Sequence, residues 1–258
     1  MAQRMQNKVA LVTGGGSGIG PSICTRLASD GARVIVLDLI LEAAQQTVEQ
    51  IRENDCDAAA YACDVAKHEQ VAGVFQDILA EDDINILINN AGIAHIGNVE
   101  TTSEEDLDRL YGVNIKGVYN LVAAVIPSMK SRGSGIIVNV SSIASSIGLT
   151  DRFAYSMTKG AVRAMTYSIA RDYIDFGIRC NCISPARVHT PFVDHFLADN
   201  YPDNRDEMFD RLSNSQPIGR MGTADEIAGL VAFLCSDDAS FITGSDIPID
   251  GGFLKLNT

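Results

Sequence analysis

The residues most able to carry out chemistry are Tyr155 and Lys159, four positions apart, and Ser142, thirteen positions before the tyrosine. In a helix, positions i and i+4 share one face, so the phenol and the ammonium would be neighbours. A free tyrosine has a pKa of about 10, and a nearby positive charge favours its phenolate. A serine hydroxyl beside them can hold a substrate oxygen. The group predicts a centre that moves a proton to or from an alcohol, although the spacing alone also fits an exposed helix surface.

The composition limits the classes of partner. The chain has 258 residues, of which 46% are hydrophobic, and its 20 basic and 33 acidic residues give a net charge of -13. This charge argues against a nucleic acid or an anionic membrane as the partner. Six cysteines without C-x-x-C pairs or histidine clusters predict buried thiols, no metal site and a reducing, cytoplasmic compartment. The polar N-terminal residues show no signal peptide, and no apolar run is long enough to span a membrane.

Short apolar runs alternate with longer amphipathic segments along the chain. The apolar runs predict strands over residues 8–13, 33–37, 58–62, 84–89, 136–140, 178–184 and 246–249. The amphipathic segments predict helices over residues 20–30, 41–54, 68–81, 103–132 (in one or two parts), 152–175 and 223–235. Such alternation is typical of a parallel sheet covered by helices. The sequence therefore predicts an α/β fold, a doubly wound parallel sheet with helices on both faces, in a single domain over residues 1–258.

Residues 185–222 lack a clear periodicity, although short helices fit within them. They follow the predicted sixth strand, and ligands bind at the carboxyl ends of strands in open α/β sheets. A long segment at that edge predicts a substrate lid over about residues 186–222. Its mixture of aromatic, charged and amide residues favours a small polar substrate over a steroid or an acyl chain, although its apolar residues could equally serve packing or subunit contact.

A glycine-rich turn joins the first predicted strand to the first predicted helix. Its glycines have the spacing G-x-x-x-G-x-G. Small residues allow a tight turn, let the backbone approach a pyrophosphate, and direct a helix N-terminus at it. The turn therefore predicts nucleotide binding by Gly14, Ser17, Gly18, Ile19 and Gly20.

The second predicted strand is followed by Asp38. A carboxylate there can accept both hydrogen bonds of an adenosine ribose diol, and it would repel the additional phosphate of NADP. Leu39 and Ile40 follow, so no adjacent cation reverses this preference. The sequence predicts NAD as the cofactor, with Leu39 beside it, and Asp64 and Val65 after the third strand suit an adenine edge.

Together, these motifs are similar to those of the short-chain dehydrogenase/reductase family. The resemblance covers essentially the whole chain and rests on residues 13–20, Asn89-Asn90-Ala91-Gly92, Asn114, Ser142, Tyr155-x-x-x-Lys159 and residues 185–190. It implies a seven-stranded Rossmann-type fold, a nicotinamide cofactor and a homotetramer or homodimer. One departure is Ala186, where the family usually has glycine.

The resemblance also implies roles for individual residues. Tyr155 would be the general acid/base, with its pKa lowered by Lys159, which would also bind the nicotinamide ribose. Ser142 would hold the substrate oxygen, and Asn114 would position a water in a proton relay. The other implied cofactor contacts are Asn90, Ala91 and Gly92 along the sheet and Pro185, Val188 and Thr190 at the carboxamide.

Three further residues are candidates for substrate binding. Arg152 lies three positions before Tyr155, where a guanidinium can pair with a substrate carboxylate. Hydroxy-acid and sugar-acid members of the family look similar there, although Arg152 could also cap the helix or face solvent. His95 could hydrogen-bond polyol hydroxyls or be incidental. Arg187 could contact the substrate, a cofactor phosphate or a neighbouring carboxylate.

The sequence therefore predicts an NAD-dependent oxidoreductase that acts on a secondary alcohol or ketone of a deoxy sugar, sugar acid or hydroxy acid. The alternative enzyme is a 3-oxoacyl-[acyl-carrier-protein] reductase. Such enzymes usually prefer NADP and present a basic patch, so Asp38 and the charge of -13 weigh against this alternative. A non-catalytic nucleotide sensor would require a broken catalytic set, whereas Asn114, Ser142, Tyr155 and Lys159 are all present.

Overall fold

The structure is a computed structural model that describes residues 4–256, apart from the side chains of Phe192, His195, Phe196 and Asn200. Its main strands are β1 (Val9–Thr13), β2 (Arg33–Asp38), β3 (Ala58–Ala62), β4 (Ile84–Asn89), β5 (Gly135–Val140), β6 (Ile178–Pro185) and β9 (Asp246–Ile249). They form one parallel sheet in the order β3-β2-β1-β4-β5-β6-β9. The predicted seven-stranded parallel sheet is confirmed, and its strand order reverses between β1 and β4.

Helices cover both faces of this sheet, as predicted. They are α1 (Gly20–Ser29), α2 (Leu41–Arg52), α3 (His68–Glu81), α4 (Glu104–Leu110), α5 (Gly117–Arg132), α6 (Phe153–Tyr173), α7 (Pro191–Asn200), α8 (Arg205–Asn214), α9 (Ala224–Cys235) and α10 (Phe253–Leu256). Adjacent residues of β1 face opposite sides, because side chains alternate along a strand. Ala10 and Val12 pack in a cluster that includes residues of α1, α2 and α9. Leu11 packs in a second cluster with residues of α3, α5 and α6.

The helix ends that capping residues predict are confirmed. Ser103 caps α4 by accepting a hydrogen bond from the Asp106 N–H. Thr223 and Glu226 form the predicted capping box of α9. The turn of 3₁₀ helix that follows α6 ends at Gly177, whose φ of 67° is in the left-handed region that favours glycine.

The predicted helix over residues 103–132 is divided. Between α4 and α5, residues Tyr111–Lys116 form one π-helical segment. Such segments insert an extra residue into a helical turn and are frequent at functional sites. This segment turns the side chain of Asn114 inward, where it is buried.

Residues 186–222 contain more regular structure than the sequence indicates. Two short strands, β7 (Val188–His189) and β8 (Gly222–Thr223), pair in parallel, and α7 and α8 lie between them. Helix α8 is mostly polar, with Met208, Phe209 and Leu212 as its apolar residues. Three apolar residues in ten positions make a weak helical pattern. Of the helices that the structure describes, none is long and apolar enough to cross a membrane.

Candidate active site

The glycine turn between β1 and α1 needs its glycines for two different reasons. A Cβ on Gly14 would lie 2.9 Å from the Ala91 Cα, and one on Gly20 would lie 2.0 Å from the Gly14 carbonyl oxygen. These two positions therefore exclude a side chain. Gly18 has a φ of 61°, but a Cβ there would meet no atom within 4 Å. Gly18 thus supplies a left-handed conformation at an open surface in front of the N-terminus of α1.

Hydrogen bonds fix this turn to the segment after β4. The Thr13 hydroxyl oxygen accepts from the N–H groups of Asn90 and Ala91, each at 3.0 Å. The Asn90 side-chain amide donates to the carbonyl oxygens of Thr13 and Gly14, each at 2.9 Å. Thr13 was not among the predicted site residues, although a threonine at the end of a buried strand and just before a glycine turn is a usable signal.

Asp38 lies beside the glycine turn. Its carboxylate accepts from the Gly16 N–H at 2.9 Å and from the Ile40 N–H at 3.1 Å. The side chains of Leu39 and Ile40 are 68% and 57% exposed. The second strand therefore ends in a carboxylate next to two exposed apolar side chains, which suits the ribose and adenine of a nucleotide.

Asn114 holds the segment after β4 against α6. Its amide accepts from the Ile93 N–H and donates to the Ile93 carbonyl oxygen, both at 2.9 Å. The same amide donates to the Thr158 hydroxyl at 3.0 Å. A Cβ on Gly92 would lie 3.2 Å from the Lys159 Nζ and 3.4 Å from the Asn114 Oδ1. The Asn114 Oδ1 and the Lys159 Nζ therefore both lie close to the backbone of Gly92.

Tyr155 and Lys159 lie one turn apart on α6, as the spacing predicts. The Lys159 Nζ is 5.8 Å from the centroid of the Tyr155 ring and donates to the Val140 carbonyl oxygen at 2.8 Å. Burial lowers the pKa of Lys159 to about 8. Ser142 follows β5, and its hydroxyl accepts from the Ala144 N–H at 3.2 Å.

The pKa of Tyr155 moves in the direction opposite to the one that the resemblance implies. Burial raises the pKa of Tyr155, and a hydrogen bond with Ser142 and the charge of Arg152 only partly offset it. The Lys159 ammonium donates to the Val140 carbonyl oxygen, and the implied lowering of the Tyr155 pKa by Lys159 stays a prediction.

The buried ammonium of Lys159 should make the free energy of unfolding depend on pH. A lysine in the unfolded chain has a pKa of about 10.4, compared with about 8 in the folded protein. Between these values the unfolded chain binds the proton and the folded protein does not, so this residue makes stability rise with pH. The difference corresponds to about 3 kcal/mol. Between about pH 7 and about pH 11, the wild-type protein should gain up to this amount relative to Lys159→Met in urea unfolding. The same pH dependence in both proteins would contradict the buried charge.

One cleft of about 1260 Å³ contains most of the predicted site residues. The catalytic candidates in its lining are Ser142, Tyr155 and Lys159. The cofactor candidates in its lining are Gly14, Ser17, Gly18, Ile19, Asn90, Ala91, Gly92, Pro185, Val188 and Thr190. Other candidates lie outside the lining that the described residues form, namely Gly20, Asp38, Leu39, Asp64, Val65, His95 and Asn114.

The structure brings two of the three substrate candidates to the cleft. Arg152 and Arg187 both line the cleft. His95 does not, because its Nδ1 lies 3.7 Å from an Asp106 carboxylate oxygen. Its Nε2 lies so close to Gly97 that a Cβ there would be 2.7 Å away. The structure therefore does not bring His95 to the cleft.

Gln216 is a site residue that the sequence does not reveal. It is buried, and its side-chain oxygen accepts from the Arg187 N–H at 2.9 Å, while its nitrogen donates to the Arg220 carbonyl oxygen at 2.7 Å. Gln216 thus fixes the backbone between Ala186 and Val188. A lone glutamine in a segment without periodicity carries no signal of such a contact.

Comparison with known proteins agrees with this geometry. Residues 14–254 match a family model described as enoyl-(acyl carrier protein) reductase. A cyclopentanol dehydrogenase from Comamonas sp. (strain NCIMB 9872) is 38% identical over 251 residues, which cover 97% of this chain and 98% of the relative. The chain belongs to the short-chain dehydrogenase/reductase family.

Solved structures of this short-chain dehydrogenase/reductase fold agree over almost the entire chain. A gluconate 5-dehydrogenase from Burkholderia cenocepacia J2315, in complex with NADP and tartrate, has a TM-score of 0.90 and 33% identity, covering 98% of this chain and 97% of its own. An NAD+-bound xylitol dehydrogenase has a TM-score of 0.90 and 33% identity, and the match covers 96% of this chain and 100% of the xylitol dehydrogenase chain. The protein is an oxidoreductase of this family, whose relatives hold NAD or NADP.

The residues present in this short-chain dehydrogenase/reductase fit a dinucleotide. The N-terminus of α1 suits a phosphate, because the helix dipole favours negative charge there. The space in front of Gly18 leaves room for that phosphate. From there the lining continues through Gly92 to Tyr155 and Lys159.

Proposed function

We propose that the protein transfers a hydride between NAD(H) and a secondary alcohol or ketone of a small polar substrate, such as a deoxy sugar, a sugar acid or a hydroxy acid. The observation that carries this proposal is that the glycine turn, Ser142, Tyr155 and Lys159 line the same cleft. Oxidation of an alcohol removes a hydride and a proton. A nucleotide-binding turn beside a group that exchanges protons therefore suits this reaction.

The protein residues hold the substrate and handle the proton, while the bound nicotinamide supplies the hydride exchange. Tyr155 donates a proton to the substrate oxygen during reduction and accepts it during oxidation. Since burial raises its pKa, the phenol is ready to donate at neutral pH. Ser142 and the charge of Arg152 favour the phenolate, so they assist oxidation. Ser142 also holds the substrate oxygen.

We assign Lys159 and Asn114 to the path along which a proton moves between Tyr155 and solvent. A lysine with a pKa of about 8 can lose and regain a proton near neutral pH, which a proton carrier requires. Asn114 fixes Ile93 and Thr158 around this lysine. Its proposed role is to fix the residues that line the proton path and to hold a water molecule there.

NAD is the proposed cofactor, because Asp38 places a carboxylate next to the glycine turn. That carboxylate would accept from the adenosine ribose and repel the additional phosphate of NADP. The same proposal assigns the dinucleotide to Gly14, Ser17, Gly18, Ile19, Gly20, Leu39, Asp64, Val65, Asn90, Ala91, Gly92, Tyr155, Lys159, Pro185, Val188 and Thr190.

Residues 186–222 are the proposed substrate lid within one catalytic domain over residues 1–258. Helices α7 and α8 support this, since Val193 and Leu212 line the cleft. The proposal includes a cytoplasmic homotetramer or homodimer. Exposed aromatic side chains on α5 and α6, among them Tyr119 and Tyr167, support association, and all six cysteines are free thiols.

A screen of NAD+ and NADP+ reduction tests the proposed activity. The panel would contain cyclopentanol, xylitol, gluconate and short hydroxy acids, with a 3-oxoacyl thioester and NADPH as the competing reaction. We expect NAD+ reduction with at least one polar alcohol and a preference for NAD+ over NADP+. A higher kcat/KM for the thioester with NADPH would favour the acyl-carrier-protein reductase instead.

A further inference from the structure

Two arginines in the cleft lack the partner that most arginines of this protein have. Eight arginines make ion pairs with aspartate or glutamate among the described residues, namely Arg4, Arg26, Arg33, Arg109, Arg132, Arg163, Arg205 and Arg220. Arg152 and Arg187 line the cleft beside Tyr155. Neither has a carboxylate of the described residues within 4.0 Å, although the chain contains 33 acidic residues.

Both guanidinium groups have unused hydrogen-bond donors. The Arg152 Nη1 donates to the Asp151 carbonyl oxygen at 3.0 Å. The Arg187 Nε donates to the Ser215 hydroxyl at 3.1 Å. A guanidinium carries five N–H donors, so each group can still bind an oxyanion through two parallel hydrogen bonds.

The two positive charges line the same cleft as the phenol. Desolvation, followed by the charge of Arg152, lowers the pKa of Arg187. The charge of Arg152 also acts on Tyr155. Two cations that face one cleft repel each other, and a bound anion relieves that repulsion.

The backbone at both arginines is fixed. Arg152 precedes the first residue of α6 and pairs with Gly97 in a short parallel bridge. The N–H of Arg187 is held by the buried Gln216. A fixed backbone favours a binding site, because less freedom is lost when the ligand binds.

We infer that Arg152 and Arg187 form an anion-binding pair that selects substrates with a carboxylate near the reacting alcohol. The inference rests on the proposed function and narrows its substrates to hydroxy acids, sugar acids included. Ser142 and Tyr155, the proposed contacts of the reacting hydroxyl, line the same cleft as the pair.

Calorimetric binding of malonate tests the pair without any turnover. The protein would be saturated with NADH at constant ionic strength, and the neutral malonamide would be the matched ligand. Malonate should bind at least about tenfold more tightly than malonamide, because hydrogen bonds to charged groups are stronger than those to neutral groups. Arg152→Gln and Arg187→Gln should each weaken malonate binding about tenfold, and Arg187→Lys should weaken it less.

The matched control is Arg171→Gln, which removes the same charge from an exposed arginine in the last turn of α6. It should leave malonate binding unchanged, and unaltered thermal unfolding would show that each variant folds. Malonate binding that is unchanged in both cleft variants would overturn the inference. An Arg187→Gln variant that weakens NADH binding but not malonate binding would also overturn it, by assigning Arg187 to the cofactor.

Kinetics with 3-hydroxybutyrate and its amide separate this inference from the proposed function. We expect Arg187→Gln to lower kcat/KM for the acid about tenfold and to leave the amide nearly unchanged. Arg152→Gln also removes a charge that favours the Tyr155 phenolate, so it should lower kcat/KM for both substrates, and about tenfold more for the acid than for the amide. Equal losses for both substrates would overturn the anion pair and leave the oxidoreductase proposal intact. Arginine-dependent malonate binding without turnover of any alcohol would support the pair and contradict the proposed function.

Discussion

Tyr155→Phe is expected to lower kcat for NAD+-dependent alcohol oxidation about 1,000-fold, which is within the range for loss of a general acid or base. Only the hydroxyl is removed, and the ring keeps its place on α6. Binding of NADH should therefore change less than about twofold. Steady-state kcat and NADH fluorescence titration measure the two effects.

The pH profile adds a second readout to this variant. Burial raises the pKa of Tyr155, so the wild-type oxidation rate should rise as the pH increases and the phenol loses its proton. Reduction should be favoured at lower pH. Tyr173→Phe, at the other end of α6, is the matched control and should keep full activity. Substantial activity in Tyr155→Phe, with the same rise with pH, would show that another group handles the proton.

Asp38→Asn is expected to lower the ratio of kcat/KM for NAD+ to kcat/KM for NADP+ about 100-fold. Contact between like charges costs several kcal/mol, and about 1.4 kcal/mol corresponds to a factor of ten. The amide keeps an oxygen that can accept from the Gly16 N–H, which Asp38 now holds at 2.9 Å. Initial rates with both cofactors at a fixed alcohol concentration measure the ratio.

Asp172→Asn removes the same charge from an exposed residue of α6 and should leave this ratio unchanged. The Asp38 variant should lose activity with NAD+ and gain activity with NADP+. If only the activity with NAD+ fell, Asp38 would act by supporting the glycine turn and not by repelling a phosphate.

The fold was largely predictable, because its signals are local. Strands such as β2 contain an unbroken apolar run that is visible in the sequence, and Ser103 and Thr223 mark helix starts through their own hydroxyls. The π-helical segment at Tyr111–Lys116 has no such pattern. Helix α8 has few apolar residues to mark it.

The contacts of the candidate site could be predicted where the residues are close together in the sequence. Tyr155 and Lys159 share a helix, and the glycines share a turn, so spacing brings them together. Gln216 reaches Arg187 across 29 residues, and such contacts require the whole fold. The position of His95 depends on Asp106 and Gly97. The direction of the Tyr155 pKa depends on burial, which the spacing of Tyr155 and Lys159 does not reveal.

Hydride transfer can be tested most directly with a secondary alcohol that carries deuterium on its carbinol carbon. The best substrate of the NAD+ screen would be labelled in this way, and the mass of the NADH formed would be measured. The account predicts one deuterium atom in each NADH molecule, together with the ketone product. NADH that carries no deuterium, or the absence of NADH with every alcohol of the panel, would contradict it.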